Sequence, residues 1–168
     1  VIFVSGGNRG IGASIVERLE ELGAKVAYNF RSEPGENGTL PIQSDVGNAD
    51  EMAATIERVE DELGPIYGVV CNAGITRDAL ASKMDHGDWE QVVDVNLTGA
   101  WNTVRPALPK MYERNEGALV FVSSIVGERG NIGQANYAAA KGGLIALAKT
   151  LALEGARYNV RANTVAHG

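Results

Sequence analysis

A single cysteine, Cys71, stands in the 168 residues, so no intrachain disulfide can form and no zinc cluster can be assembled from thiolates. It sits in the apolar run Val69-Val70-Cys71, where a buried small hydrophobe is expected. No apolar stretch approaches the roughly 18 residues that span a bilayer, and the N-terminus lacks the basic-then-apolar profile of a signal peptide. A cytoplasmic location is therefore the expectation. Excess positive charge is missing too. The formal charge is -6 with Lys and Arg scattered, which argues against nucleic acid or an anionic membrane as partner. The two histidines, His86 in a polar loop and His167 near the end, are read as a solvated residue and as a poor metal ligand, so no metal is expected.

What is present is the make-up of one ordinary globular domain, 45% hydrophobic and 21% charged. Short apolar runs alternate with helical periodicities. Residues 1–4 read as a strand that ends at a glycine cluster; Val1 opens inside it, so a natural terminus further upstream is the expectation. Ile11, Ile15, Leu19 and Leu22 then recur at helical spacing, and Gly23 is placed to end that helix. Residues 26–30 form a second strand. Asn48 with Glu51 resembles a capping box ahead of Met52, Ile56, Val59 and Leu63, and Gly64-Pro65 stops that helix. Residues 66–71 form a strand, and 88–114 a long helical region kinked or ended by Pro106 and Pro109. A strand at 119–122, a helix at 134–158 and a strand at 160–165 complete the series. Continuous apolar strands alternating with helices predict a doubly wound, Rossmann-like α/β fold: a parallel sheet covered on both faces, in a single domain over residues 1–168.

One stretch resists that scheme. Only about ten residues, 31–39, separate the second strand from the extended segment 40–46, and they show no helical periodicity. A parallel crossover normally needs a dozen or more residues, usually a helix. Either this loop crosses bare, or a helix is missing from the chain as read.

The glycine cluster Ser5-Gly6-Gly7-Asn8-Arg9-Gly10-Ile11-Gly12 lies between a strand and an amphipathic helix. Glycines allow a tight turn and close backbone approach, and a helix N-terminus offers free N–H groups to a phosphate. At the end of the second strand, where a carboxylate would bind a ribose 2′-OH, the residues are Asn29-Phe30-Arg31-Ser32. Arg31 with Arg9 could clamp a 2′-phosphate, which favours NADP over NAD. Further on, Tyr137 and Lys141 stand at i and i+4, on one helix face. An ammonium there would stabilise tyrosinate, and the phenol could then exchange a proton with a carbonyl oxygen as hydride is transferred. Ser123 and Ser124 end a strand, where ligands bind in this architecture; spacing alone does not tell them apart.

These motifs, with Asp45-Val46, Asn72-Ala73-Gly74 and Val95-Asn96-Leu97, resemble the short-chain dehydrogenase/reductases over nearly the whole chain. The resemblance implies Tyr137 as general acid/base, and Ser124 as hydrogen-bond partner of the substrate carbonyl because the family sets its serine about thirteen residues ahead of the tyrosine. It implies Lys141 as binder of the nicotinamide ribose, lowering the Tyr137 pKa, and Asn96 as holder of a relay water. Asp45, with Val46 beside it, would contact the adenine; Asn72, Ala73 and Gly74 would line the cofactor cleft with Gly6, Asn8, Arg9, Gly10, Ile11 and Gly12. Ile75-Thr76-Arg77-Asp78 and the segment 130–136 look like the 3-oxoacyl-carrier-protein reductases of fatty acid biosynthesis and the acetoacetyl-CoA reductases. That implies NADPH-dependent reduction of a 3-oxoacyl thioester, by a homotetramer, possible partners including acyl carrier protein. The stretch 113–118, with two acids and one arginine, weakens the carrier-protein reading. Family members usually carry proline where His167 stands and continue through a substrate lid and last strand, so the resemblance implies a chain incomplete at that end. Trp89 and Trp101 are read as packing or subunit contacts. The competing readings are reduction of another carbonyl, a non-catalytic nucleotide-binding module, or a methyltransferase-type Rossmann enzyme, for which the Tyr-Lys pair has no role.

Overall fold

Six strands, most of them buried on both faces, build one parallel sheet in the computed structural model, which describes all residues from Val1 to Gly168. They are β1 (Ile2–Ser5), β2 (Val26–Phe30), β3 (Leu40–Gln43), β4 (Gly68–Cys71), β5 (Gly117–Ser124) and β6 (Val160–His167), in the order β3-β2-β1-β4-β5-β6. Ile2 is in register with Val26 on one side and Gly68 on the other. The chain therefore steps outward from β1 through β2 and β3, then returns across to β4. That reversal leaves a crevice at the C-terminal ends of β1 and β4, the switch point where ligands bind in such sheets. The expected doubly wound α/β fold is the one observed.

The helices follow from local chemistry. Glycine-led α1 (Gly10–Glu21) stops where Gly23 takes a left-handed φ of 85°. The Asn48 side chain caps α2 (Ala49–Leu63) by accepting from the N–H groups of Asp50 and Glu51 at 3.1 and 3.2 Å. Glu51 returns the bond to the Asn48 side-chain amide and to the Asp45 N–H, both 2.9 Å, rather than to the Asn48 N–H of a standard capping box. The cap thus also fixes the turn that follows β3.

The single helical region expected over 88–114 is three helices. Asp85 caps α3 (His86–Val93) by accepting from Gly87 N–H at 2.8 Å. A wide π turn (Asp94–Thr98) leads into α4 (Gly99–Val104), and α5 (Leu108–Arg114) starts afresh with Pro109 in its first turn. Pro106, lacking an N–H, falls in the break between them. A short α6 (Ile125–Arg129) precedes α7 (Ala135–Gly155).

Two clusters hold the layers. The larger packs the side of the sheet carrying α2, α4, α5 and α7 through Phe3, Ile56, Val69, Met111, Phe121 and Leu144, all 1% exposed or less. The smaller joins α1 to β1 and β2 through Val4, Val16, Val26 and Tyr28. Each large side chain fully buried contributes about 1.5–3 kcal/mol. Residues 31–39 of this chain cross without a helix: Thr39 N–H donates to Val26 O at 2.7 Å, and β3 pairs parallel with β2.

Candidate active site

Four strand ends are stitched together by short polar side chains. The Ser5 hydroxyl accepts from the N–H groups of Asn72 (3.0 Å) and Ala73 (3.1 Å), while the Asn72 amide donates to Ser5 O and Gly6 O, each at 3.1 Å. Asn29 accepts from Gly6 N–H at 3.0 Å and donates to Ser44 O at 2.9 Å. Ser5, Asn29 and Ser44 are all buried. Sequence reasoning passed over them as site residues; a polar residue ending an apolar strand was the one signal available.

The glycine loop fits a dinucleotide phosphate. A Cβ on Gly12 would stand 2.1 Å from Gly6 O, so this turn closes only with glycine there. Gly10, with φ 55°, has nothing within 4 Å of where a Cβ would project, and no side chain caps the N-terminus of α1. Free N–H groups at the positive end of that helix are left to meet an anion.

The loop forms one wall of a cleft of about 670 Å³, and every residue expected at the cofactor lines it. Gly6, Asn8, Arg9, Gly10, Ile11 and Gly12 are joined there by Arg31, Ser32, Asp45 and Val46, then by Asn72, Ala73 and Gly74, with Tyr137 and Lys141 at the far end. The Asn8 side chain is turned onto Glu33 O at 2.9 Å. His167, in register with Ser124, also lines the cleft.

The two serines part company in the structure. Strand alternation sends Ser123 inward, where its hydroxyl donates to Lys141 O at 2.8 Å. Ser124, at the strand's end, accepts from Val126 N–H at 3.2 Å and faces the Tyr137 phenol. Gly127 lets α6 lie on α7, since a Cβ there would be 2.6 Å from the Lys141 backbone carbon. Tyr137 is half-buried and Lys141 is buried, its Nζ 5.5 Å from the Tyr137 ring centre and donating to Val122 O at 2.7 Å. Spacing alone predicted the shared face, and the fold delivers it.

The electrostatics correct one expectation. Burial pushes the Tyr137 phenol above its ordinary value; the Ser124 hydroxyl opposes this and the Asp78 carboxylate adds to it. Desolvation brings the Lys141 ammonium itself down to about 8, and its Nζ is turned to Val122 O. A phenol that keeps its proton at neutral pH is the donor a carbonyl oxygen requires.

Asn96 sits in the π turn, 1% exposed, and its amide clasps Ile75 at both ends: Oδ1 accepts from Ile75 N–H and Nδ2 donates to Ile75 O, each at 2.8 Å. Both ends of its side chain are thus tied to the loop after β4. Asn136, fully buried and not singled out by the sequence, donates to Arg77 O at 2.9 Å and to Asp88 O at 3.2 Å. Together they fasten one loop, residues 75–78, beside Tyr137.

The short chain dehydrogenase family profile matches residues 1–168. An acetoacetyl-CoA reductase of Synechocystis sp. is 50% identical over 169 residues, covering 100% of this chain and 70% of the relative. One from Paracoccus denitrificans is 45% identical over 175 residues, covering 100% and 72%. The 3-oxoacyl-[acyl-carrier-protein] reductase FabG of Staphylococcus aureus is 41% identical over 178 residues, covering 99% and 72%. With a parallel sheet, a glycine loop at its switch point and a Tyr-Lys pair in the cleft, the chain belongs to the short-chain dehydrogenase family, as an oxidoreductase that acts on a carbonyl or CH–OH group with a nicotinamide cofactor.

Proposed function

We propose that this protein reduces a 3-oxoacyl thioester to the 3-hydroxyacyl product with NADPH, and that the thioester is linked to CoA in preference to acyl carrier protein. The reading is carried by the meeting of Ser124, Tyr137 and Lys141 at one end of the cleft that begins at the glycine loop. Bound there, the cofactor supplies hydride to the carbonyl carbon. Ser124 holds the carbonyl oxygen by a hydrogen bond, and Tyr137 gives it a proton. Lys141 carries the ammonium that binds the cofactor ribose, and Asn96 positions the loop behind the reacting groups. Asp45 and Val46 meet the adenine, and Asn72, Ala73 and Gly74 line the channel between.

The thioester class is supported by the names of the relatives. Preference for CoA is supported by Arg114, the one basic residue of 113–118: its guanidinium is already engaged, by Glu60 at 3.1 Å and Ile66 O at 2.9 Å. Glu113 and Glu116 stay exposed, which presents acid to an acidic carrier. NADPH is supported by Arg9 and Arg31, both exposed at the cleft and with no carboxylate at the end of β2. Exposed Trp89 and Trp101 fit subunit contacts in a homotetramer. Rates with acetoacetyl-CoA, acetoacetyl-carrier protein and a simple ketone, each with NADPH and NADH, test this. Fastest turnover of acetoacetyl-CoA with NADPH is expected; strict use of NADH, or a faster carrier-protein substrate, overturns the corresponding half.

A further inference from the structure

The helix-free crossover 31–39 is not loosely draped over the sheet edge. Tyr28, buried in β2 beneath α1, accepts a hydrogen bond on its phenol oxygen from Gly35 N–H at 2.8 Å. Glu20 of α1 accepts from Gly38 N–H at 3.0 Å and from the Thr39 hydroxyl at 3.2 Å. The Asn8 amide, from the glycine loop itself, holds Glu33 O. Two glycines let the loop press this close. A Cβ on Gly38, where φ is 100°, would fall 2.4 Å from the Tyr28 ring, and one on Gly35 would fall 2.9 Å from Asn8 O. Between these anchors and the end of β2 lie Arg31 and Ser32, exposed at the cleft that Arg9 also lines.

We propose that Tyr28 and Glu20 are positioning residues for nucleotide selection: they peg the bare crossover so that Arg31 and Ser32 are held at the rim where the adenosine 2′-phosphate is read. Neither side chain lines the cleft, so each acts through the loop. The physical reason is pre-organisation. A short loop without a helix has no internal hydrogen-bond ladder, and ordering it on binding would weaken the complex. The pegs order it beforehand. The proposal rests on the NADPH reading above, and the same experiment separates the two.

The measurement is calorimetric binding of 2′,5′-ADP and of 5′-ADP to the full chain, with thermal unfolding recorded for each variant. Wild type should prefer 2′,5′-ADP, and Arg31→Ala should abolish that preference. Tyr28→Phe removes only the phenol oxygen; it should reduce the preference about tenfold, acting on 2′,5′-ADP and leaving 5′-ADP affinity as it was. Glu20→Ala, on the surface side of the loop, should act in the same sense and serves where Tyr28→Phe does not fold. A merely structural role would weaken both nucleotides together or lower the unfolding temperature alone. A wild type without preference for 2′,5′-ADP overturns the cofactor reading and this proposal with it. A wild type with the preference, retained in Tyr28→Phe or, where that variant does not fold, in Glu20→Ala, overturns this proposal alone.

Discussion

The two ends of the cleft are built on opposite principles. At the chemical end Lys141, Asn96, Asn136 and Ser123 are all 3% exposed or less, and each is tied to backbone of another element. At the nucleotide end Arg9, Arg31 and Ser32 stand in solvent on loops. Proton transfer needs atoms fixed to a fraction of an ångström in a site where charge is little screened. Recognition of a phosphate works over longer range and tolerates side-chain motion. The lesson is that damage at one end should appear as lost chemistry or stability, and at the other as altered affinity that salt can mimic.

The sharpest break is Tyr137→Phe. It should lower kcat for acetoacetyl-CoA reduction by about 10²–10⁴-fold while 2′,5′-ADP still binds with wild-type affinity. A variant that kept its rate would remove Tyr137 from the chemistry.

Lys141→Met is next, and its signature is pH. The folded-state value of about 8 lies below the ordinary 10.5, so across that window the unfolded chain holds a proton that the folded chain has released. Wild-type stability from this group is therefore depressed below pH 8 and recovers as pH rises towards 10.5. The methionine variant escapes the penalty. Its stability relative to wild type should be higher at pH 7 than at pH 10.5, by up to about 3 kcal/mol at about 1.4 kcal/mol per pKa unit. Denaturant titrations at the two pH values check this, and a difference independent of pH would refute it. Its reductase rate should fall at both.

Asn136→Ala leaves Arg77 O and Asp88 O without their side-chain donor. A loss of about 1–3 kcal/mol is expected from the buried groups left unpaired, read by denaturant midpoint, together with a raised KM for the thioester because residues 75–78 lose their tie. An unchanged midpoint would mean water replaces the amide freely.

The smallest effect belongs to the open end. Arg31→Ala should raise KM for NADPH about tenfold, equivalent to about 1.4 kcal/mol, with the NADH parameters and the melting temperature unmoved. Raising the salt concentration should shrink the difference between variant and wild type.

Much of this was legible in advance because it depends on short-range periodicity. The alternation of apolar runs and helical faces dictated the parallel α/β sheet. The glycine cluster marked the phosphate loop, and the four-residue step from Tyr137 to Lys141 set both on one face, since the helical repeat needs no partner to define it. Other features are properties of packing between distant segments. The π turn at Asn96 broke a region that reads as one helix, and its clasp on Ile75 joins residues 21 positions apart. Which serine faces the phenol follows from the pleat of β5 against α7. The direction of the Tyr137 shift was misread because a Tyr-Lys spacing records proximity but not burial, and burial dominates here. The sequence by itself determined the fold class and the chemical inventory. Only the tertiary structure decided how deeply each group is buried, which backbone it holds and how the bare crossover is pegged, because desolvation and long-range hydrogen bonds exist only once the chain has folded.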